Sequence, residues 1–377
     1  MRFVIISHVN HTTNNNLIYG YGPYIREMNL WIKNVDSVEV VANLCDREIN
    51  KIDLPYKHNN IIFTKLEAFN LTSPLNILKT ILRLPLLLLT IFKAMRRADH
   101  IHLRCPGNVG LLGCIIQIFF PSIPKTAKYA GNWDPKAKQP WSYKLQKWIL
   151  NNTFLTKNMK VLVYGEWKGM SKNIKPFFTA TYSNNDSILA KNQPVKKLPF
   201  HIQEPIKFMF VGTLAPGKRP EYALQLFLEI KKTYNQVTLD FFGEGKLKPE
   251  LEKFIQNNNL GSSVILHGNQ PKEVVEQAYK ENHFLILASK SEGWPKVVAE
   301  AMFWGCVPLS TNVSCVNQMM GNGERGLMLN MDLNKDVNKI AEIFKNPDIY
   351  VNMSNKGKEW STQYTVDKFE FEIKKII

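Results

Sequence analysis

The sequence predicts an α/β protein of two parallel-sheet domains, and three observations support this prediction. The chain has 377 residues, more than the roughly 100–200 residues of one ordinary domain. Its second half alternates short apolar runs with helical patterns, which is the order of strands and crossover helices in a parallel sheet. Its first half opens on an apolar run at 3–9, followed by glycines and a helical pattern at 23–34. We therefore expect one such domain in each half.

The most informative stretch begins with the apolar run Phe284–Leu287, which predicts a buried strand. A polar turn follows and ends at Gly293. A helix is predicted next, because Pro295 suits a first helical turn, where its missing N–H costs nothing. Gly305 is expected to end this helix before another strand starts at Val307.

The turn of this strand–turn–helix unit suits an anionic ligand. Free N–H groups at a helix start attract anions, and a glycine lets the anion approach the backbone. Glu300 lies about 9 Å along the helix from Trp294, at a rise of about 1.5 Å per residue. This spacing fits a phosphate at the helix start and a ribose further along, whose hydroxyls a carboxylate can bind. An ordinary βαβ unit with two solvated glutamates, Glu292 and Glu300, remains the alternative.

This stretch resembles the signature of retaining glycosyltransferases of the GT-B fold, glycosyltransferase family 4 (glycosyl transferases group 1). The family pattern has two glutamates with seven residues between them, and apolar and glycine positions around both. The residues that match are Glu292, Gly293, Trp294, Pro295, Glu300, Ala301, Met302, Gly305, Val307 and Pro308. The resemblance implies two Rossmann-like domains facing a central cleft. It also implies transfer of a sugar from a nucleotide-diphosphate sugar, which is a co-substrate, without a cofactor or metal.

The resemblance assigns donor-side roles to residues of the second half. Glu292 is expected to contact the donor sugar as a catalytic residue, and Glu300 is expected to bind the ribose. Lys218 matches the family lysine at the diphosphate. Thr213 stands where the family has an arginine, so we expect the neighbouring Arg219 to supply that charge. The other positions expected at the donor are Gly20, Gly22, Gly243, Gly268, Gly293, Trp294, Pro295, Lys296 and Val297.

A predicted strand near residue 100 leads into a loop that resembles the family's histidine-containing loop. His102 falls on the first histidine of the common pattern, and Arg104 falls where many members place the functional histidine. A cation there could stabilise a departing phosphate or orient the acceptor. We therefore expect Arg104, or His102 if the loop is shifted, to be the second catalytic group. A histidine packed in the core is the alternative for His102.

Trp133 and Asp134 follow another predicted strand, at 125–130. An aromatic face beside a carboxylate is chemistry that recognises sugars, so both are candidates for the acceptor side. A turn with a packed tryptophan is the alternative.

The formal net charge of +16 favours anionic partners. No RNA-binding signature is present, so nucleic acid is not expected. The leucine-rich, basic segment at 73–97 predicts either a packed helix kinked near Pro85 or an anchor on an anionic membrane surface. The apolar patch at 111–120 adds to the second interpretation. No apolar run reaches the roughly 20 residues of a membrane-spanning helix.

Five scattered cysteines without CxxC spacing argue against zinc and a disulfide framework, and they fit a reducing cytoplasm. The absence of an Asp-x-Asp motif fits metal-free chemistry. We therefore expect a cytoplasmic enzyme, peripheral on the inner membrane, that transfers sugar to a glycan or lipid-linked acceptor in bacterial surface polysaccharide synthesis. A non-catalytic nucleotide- or nucleic-acid-binding protein on the same fold is the alternative.

Domain boundaries are predicted as 1–186 for the N-terminal, acceptor-side domain and 206–356 for the nucleotide-sugar domain. The polar, proline-containing residues 187–205 are the predicted linker. The resemblance implies that a last helix, at about 357–377, crosses back onto the first domain. Within the first domain, a polar loop is expected at 10–16 and a strand at 177–182.

Overall fold

The computed structural model describes residues 1–50, 52–67, 74–196, 198 and 204–377, with side chains from residue 80 onward in the helix that starts at residue 74. These residues form two compact units. The N-terminal unit comprises Met1–Phe178 and Glu370–Ile377, and the C-terminal unit comprises Thr179–Phe369. The chain therefore passes from one unit to the other at residue 178, before the predicted linker begins.

The N-terminal unit is organised around one parallel sheet. Its strands are β1 Arg2–Ile6, β2 His11–Asn14, β3 Leu17–Tyr21, β4 Ser37–Asn43, β5 Asp53–Pro55, β6 Ile61–Leu66, β7 His100–Cys105, β8 Lys125–Tyr129, β9 Met159–Tyr164 and β10 Ile174–Phe177. Its helices are α1 Gly22–Trp31, α2 Pro74–Arg96, α3 Asn108–Ile116 and α4 Trp141–Leu150. The sheet order is β10-β9-β8-β7-β1-β4-β6, with parallel pairing throughout. All carboxyl ends therefore meet at one edge, where such sheets bind ligands.

The predicted loop at 10–16 is wrong, because these residues form a hairpin. Strands β2 and β3 pair antiparallel, and β3 also pairs with β5. Asn15 and Asn16 form the turn with φ values of 47° and 61°. Asparagine tolerates this left-handed region better than most residues, so two of them can close a tight hairpin. The strand predicted at 177–182 is also wrong, since β10 ends at Phe177.

Helix α2 continues through Pro85 and packs one face on the sheet. Leu87, Ile91 and Met95 follow a four-residue spacing and are buried in the core of the unit. The opposite face exposes apolar side chains, among them Leu82 and Leu86. The packed helix is thus confirmed for the inner face, whereas the outer face is exposed in the part of the chain that the structure describes. Among the described residues, no helix has both the length and the apolar character needed to span a bilayer.

The C-terminal unit contains a second parallel sheet. Its strands are β11 Ile206–Val211, β12 Val237–Phe242, β13 Val264–Gly268, β14 Phe284–Leu287, β15 Val307–Thr311 and β16 Leu327–Leu329. The helices of this part of the chain are α5 Asn184–Asn192, α6 Pro220–Thr233, α7 Lys248–Asn257, α8 Lys272–Glu281, α9 Lys296–Phe303, α10 Val316–Met319, α11 Leu333–Lys345, α12 Pro347–Ser361 and α13 Val366–Lys374, the last of which ends in the N-terminal unit. The sheet order is β13-β12-β11-β14-β15-β16.

The predicted strand Phe284–Leu287 is confirmed, and all four of its residues are buried. Helices cover both faces of a parallel sheet, so its inner strands read as continuous apolar runs. Phe208 of β11 stacks on Phe284 of β14 with ring centroids 5.2 Å apart. The two residues are partners in the parallel pairing of β11 with β14, so the turns that follow these two strands lie next to each other.

Candidate active site

Two turns at the carboxyl edge of the C-terminal sheet form the centre of the candidate site. One follows β11 and the other follows β14, which are neighbouring strands. The backbone N–H of Lys290 donates to the carbonyl of Gly217, at 2.8 Å. Lys218 Nζ donates to Glu292 Oε1, at 2.6 Å. The structure thus brings together two predicted site residues that are 74 positions apart in the chain.

The Lys218–Glu292 ion pair is partly shielded, since the lysine side chain is 31% exposed and the glutamate 10%. An ammonium group has three donors, and Glu292 occupies one of them. In the part of the chain that the structure describes, the ammonium group makes no second hydrogen bond, and its contact with the diphosphate stays a prediction. Arg219 follows directly, with a left-handed φ of 51° at the N-cap of α6. Lys218 and Arg219 thus lie in the turn between β11 and α6, and the contact of both with the diphosphate stays a prediction.

Glycines let the neighbouring turns of this edge pack backbone against backbone. A Cβ on Gly243 would collide with the carbonyl oxygen of Gly212. The N–H of Gly243 donates to the carbonyl of Gly268, at 2.8 Å. Packing thus accounts for glycine at position 243, and the donor contacts of Gly243 and Gly268 stay predictions.

Helix α9 begins at Lys296, so Pro295 is its N-cap and not its first residue. The helical ladder opens with the N–H of Val298 bonded to the carbonyl of Pro295, at 3.0 Å. The amides of Lys296 and Val297 precede this ladder, as the first amides of any helix do. Their predicted contact with the donor fits this position.

Glu300 is held inside the C-terminal unit by two hydroxyl groups. Its Oε1 accepts from Thr181 Oγ1 at 2.6 Å, and its Oε2 accepts from the Tyr279 hydroxyl at 3.2 Å. Burial raises the pKa of Tyr279, and the charge of Glu300 adds to the shift, so this hydroxyl stays a donor. A carboxylate has about four acceptor positions, so Glu300 keeps capacity for ribose hydroxyls. A narrow crevice that includes Lys296 and Tyr364 opens beside it.

Gly293 and Trp294 are fixed by contacts that the sequence did not indicate. The carbonyl of Gly293 accepts from Ser314 Oγ at 2.9 Å and from Cys315 Sγ at 3.4 Å. The indole of Trp294 stacks on Trp360 of α12, with centroids 6.1 Å apart. The tryptophan ring thus has a packing role, and its contact with the donor stays a prediction.

His102 lies in the core of the N-terminal unit. Its side chain is fully buried, with the ring of Trp31 4.5 Å and that of Phe3 5.7 Å away between centroids. Its Nδ1 shares a hydrogen bond of 2.8 Å with Thr126 Oγ1. Burial lowers the pKa of His102 well below its usual 6.5. The alternative of a histidine packed in the core thus describes the local structure, and a catalytic role of His102 stays a prediction.

Arg104 is the penultimate residue of β7, closer to the carboxyl edge. Its Nη1 pairs with Glu27 Oε1 at 2.9 Å, and the two side chains are 12% and 5% exposed. Its guanidinium also lies over the ring of Tyr24, 5.4 Å from the centroid. Glu27 thus offsets the charge of Arg104 within this unit. A catalytic role of Arg104 stays a prediction.

His8 is a candidate functional residue of the N-terminal unit that the sequence analysis does not include. β1 ends at Ile6, and the exposed His8 follows it at the carboxyl edge, beside β7. A Cβ on Gly107 would lie 2.8 Å from the His8 ring, so glycine leaves room for this side chain. The predicted strand at 3–9 ran past the true end and included His8. A histidine two residues beyond the end of a first strand is the signal that could have indicated it.

Gly20 and Gly22 lie in the hairpin and at the start of α1. The N–H of Gly22 donates to the carbonyl of Ile52 at 3.1 Å, and a Cβ on Gly22 would collide with that same oxygen. Close packing therefore accounts for glycine at position 22, and the donor contact of both glycines stays a prediction.

Trp133 and Asp134 form a turn after β8. Trp133 is buried edge-on against Tyr129, with centroids 4.8 Å apart. Asp134 Oδ1 accepts from the N–H of Lys136 at 2.8 Å. Lys147 Nζ donates to the carbonyls of Trp133 and Asp134, at 2.8 and 3.1 Å. The alternative of a turn with a packed tryptophan thus describes the local structure, and acceptor contacts stay a prediction.

Within the described part of the chain, no group of three or more His, Cys, Asp or Glu side chains is placed to hold a metal ion.

Comparison with known proteins gives a family match in the second half. Residues 194–360 match the family model of the glycosyl transferases group 1. An uncharacterized glycosyltransferase of Methanocaldococcus jannaschii is 26% identical over 169 residues, which cover 45% of this chain and 46% of that protein. A Campylobacter jejuni N-acetylgalactosamine-N,N'-diacetylbacillosaminyl-diphospho-undecaprenol 4-alpha-N-acetylgalactosaminyltransferase is 30% identical over 125 residues, or 32% of each chain. This chain thus spans about half the length of the first relative and a third of the second.

The structural likeness covers both units. The Anabaena protein HepE, solved in complex with UDP, matches with a TM-score of 0.66 and 13% identity, over 100% of this chain and 99% of that one. At this identity the likeness shows the fold. The chain therefore has the GT-B fold of glycosyltransferases, with two Rossmann-like parallel-sheet units, and its residues 194–360 match the glycosyl transferases group 1.

Proposed function

We propose that this chain is a retaining, metal-independent family 4 glycosyltransferase of the hexosyl-transferring type. Its donor is a nucleotide-diphosphate sugar, and its acceptor is a glycan or lipid-linked sugar of a bacterial surface polysaccharide. The observation that carries the proposal is the pairing of Lys218 with Glu292 at 2.6 Å, at the carboxyl ends of neighbouring strands. The family match of residues 194–360 supports the same assignment.

The ion pair suggests how the donor binds. A diphosphate at this edge offers Lys218 two negative oxygens in place of one carboxylate. The ammonium group can move to the phosphate while Glu292 becomes available to accept from a hydroxyl of the donor sugar. Arg219 adds the second charge that the family places at Thr213.

In the transfer step, the bond between the anomeric carbon and the phosphate oxygen breaks, and its electron pair leaves with the diphosphate. Lys218 and Arg219 stabilise this departing charge. Such electrostatic stabilisation of the transition state is usually the largest single contribution to the rate enhancement of an enzyme. The acceptor hydroxyl forms the new bond on the same face and loses its proton to the departing phosphate oxygen. Glu300 holds the ribose throughout.

The lipid-linked acceptor is supported by the outer face of α2. Ile81, Leu82, Leu86 and Leu89 are exposed there, and Lys93 and Arg96 are exposed near the end of the helix. Apolar side chains beside cations suit an anionic membrane surface. The Campylobacter relative is named for a diphospho-undecaprenol substrate. We therefore place the enzyme on the cytoplasmic face of the membrane, held there by this outer face of α2.

A panel of nucleotide-diphosphate sugars, incubated with the enzyme and a metal chelator, tests the proposal. We expect slow hydrolysis of one donor, faster transfer when an acceptor is added, and loss of both in Glu292→Gln. Thermal shift with each nucleotide serves as the binding control. If no donor is turned over and none shifts the melting temperature, the proposed activity is wrong.

A further inference from the structure

We propose that a pocket in the N-terminal unit binds a negatively charged sugar residue of the acceptor. The pocket has a volume of about 270 Å³, and its walls include Trp133, Lys147, Trp148, Asn151 and Lys168. The inference deepens the proposed function, because only a glycosyltransferase gives this ligand the role of acceptor. The binding itself is measurable without turnover.

The pocket is built from segments that follow strand ends. Trp133 comes after β8, and Lys168 comes after β9. Helix α4 supplies Trp148 from the side. Asn151 joins the segments, since its Nδ2 donates to the carbonyl of Gly169 at 3.3 Å and its Oδ1 accepts from the N–H of Ser171 at 3.0 Å. The pocket therefore lies between the last turn of α4 and the loops that follow β8 and β9.

The charged groups in the walls are all positive. Lys147 Nζ donates to two backbone carbonyls and keeps a third N–H. Burial lowers the pKa of Lys147, because the charged form is less hydrated there. Lys168 is exposed at the rim and makes no ion pair within the described part of the chain. No carboxylate side chain lines the pocket. The nearby Asp134 carboxylate offsets the charge of Lys147 in part. An anion in the pocket would therefore meet the third N–H of Lys147 and the ammonium group of Lys168.

The aromatic wall of the pocket indicates that the part of the ligand beyond its anionic group is a sugar ring. Trp148 is 61% exposed, so its indole is available to the apolar C–H face of a sugar ring. The volume is slightly below the roughly 300–1,000 Å³ of pockets for drug-sized ligands. It therefore suits one sugar residue that bears a carboxylate or a phosphate, and not a longer chain.

Titrations of the full chain with methyl glucuronide, glucose 1-phosphate and methyl glucoside, followed by NMR or calorimetry, test the proposal. We expect saturable binding of one or both anionic sugars, at least 10-fold tighter than that of the neutral glucoside. The comparison of glucuronide with phosphate shows which anion the pocket prefers. Trp148→Ala and Lys168→Ala should each weaken this binding at least 10-fold.

Helix α4 offers matched controls in Trp141 and Lys144, which are exposed and do not line the pocket. Trp141→Ala and Lys144→Ala should bind like the wild type. Equal binding of charged and neutral sugars, or losses in the controls that match those in the pocket variants, would overturn the proposal. Thermal shift with nucleotides separates the two proposals, because the pocket variants should keep it. Sugar binding without any nucleotide response would remove the transferase function and leave the pocket.

Discussion

Glu300 shows how a site residue can be both structural and functional. Glu300→Ala removes the acceptor of a ribose hydroxyl, so we expect nucleotide binding to weaken by roughly 1.5–3 kcal/mol. It also leaves the hydroxyls of Thr181 and Tyr279 without their acceptor, which should cost about 1–3 kcal/mol of unfolding free energy. Calorimetry on the folded variant measures the first effect, and denaturant unfolding measures the second.

The exposed Glu342 of α11 provides a control of equal charge change. Glu342→Ala should leave both quantities unchanged. An unaltered nucleotide affinity in folded Glu300→Ala would show that the ribose lies elsewhere.

Thr213 stands where the family has an arginine. We therefore predict that Arg219 contributes more to turnover in this chain than the residue at its position does in most family members. Arg219→Ala should lower turnover at least 10-fold, because the departing diphosphate loses one of two cations. Lys232→Ala, at the exposed far end of the same helix α6, is the matched control. Steady-state kinetics of both variants decide the point. An active Arg219→Ala would leave Lys218 as the principal diphosphate contact.

The positions of candidate site residues were predictable where a family motif carried them, and their roles stay predictions. Glu292 and Lys218 were both predicted, and the structure pairs them. The Arg104–Glu27 pair was not predictable, because 77 positions separate its members and no local pattern links them. Ser314 and Cys315 support Gly293 from a later loop, and only the folded chain shows that contact.

At the scale of elements, α2 allows a sharper test of membrane binding. Arg97 pairs with the buried carboxylate of Glu39 at 2.7 Å, so replacing it would disturb the fold. Lys93 and Arg96 are exposed near the same end of α2. Lys93→Gln with Arg96→Gln should reduce sedimentation with anionic vesicles, as each cation near such a surface adds about 1 kcal/mol.

Leu82→Gln with Leu86→Gln should reduce the same sedimentation by removing apolar contact. The exposed pair Lys232 and Lys253, both changed to Gln, controls for net charge. Binding of the wild type should fall with salt and be weak on neutral vesicles. Indifference of the wild type to anionic vesicles at low salt would make a soluble acceptor the better assignment.

Strand β7 carries buried histidines that make folding sensitive to acid. Burial lowers the pKa of His100 from 6.5 to about 4, with the charge of Lys160 adding to the shift. Below pH 6.5 the unfolded chain takes up a proton that the folded chain refuses, so stability falls as pH drops from 6.5 towards 4. At about 1.4 kcal/mol per pKa unit, His100 alone should cost roughly 3 kcal/mol by pH 4.

Denaturant unfolding between pH 7.5 and 4.5 measures this loss. His100→Gln should flatten the pH dependence, since glutamine does not titrate. A variant that is as sensitive to acid as the wild type would assign the effect to other groups.

At the scale of the whole molecule, the two sheets were predictable because buried parallel strands read as apolar runs. The unit boundary was not. Helix α5 begins where Ser183 and Asp186 form a capping box, yet only Ser187 and Ala190 of this helix are buried. Without an apolar stripe, its first part was assigned to the N-terminal domain and the rest to a linker. The hairpin closed by Asn15 and Asn16 was not predictable either, because polar residues such as asparagine are equally common in hairpin turns and in irregular loops.

The central claim is that the cations after β11 hold a nucleotide diphosphate. Calorimetric titration of the donor nucleotide into wild type and into Lys218→Ala with Arg219→Ala tests it most directly. The account predicts saturable binding by the wild type and a loss of at least 100-fold in the double variant, which should still fold, because both side chains are partly exposed. Unchanged affinity in the folded double variant would contradict the account.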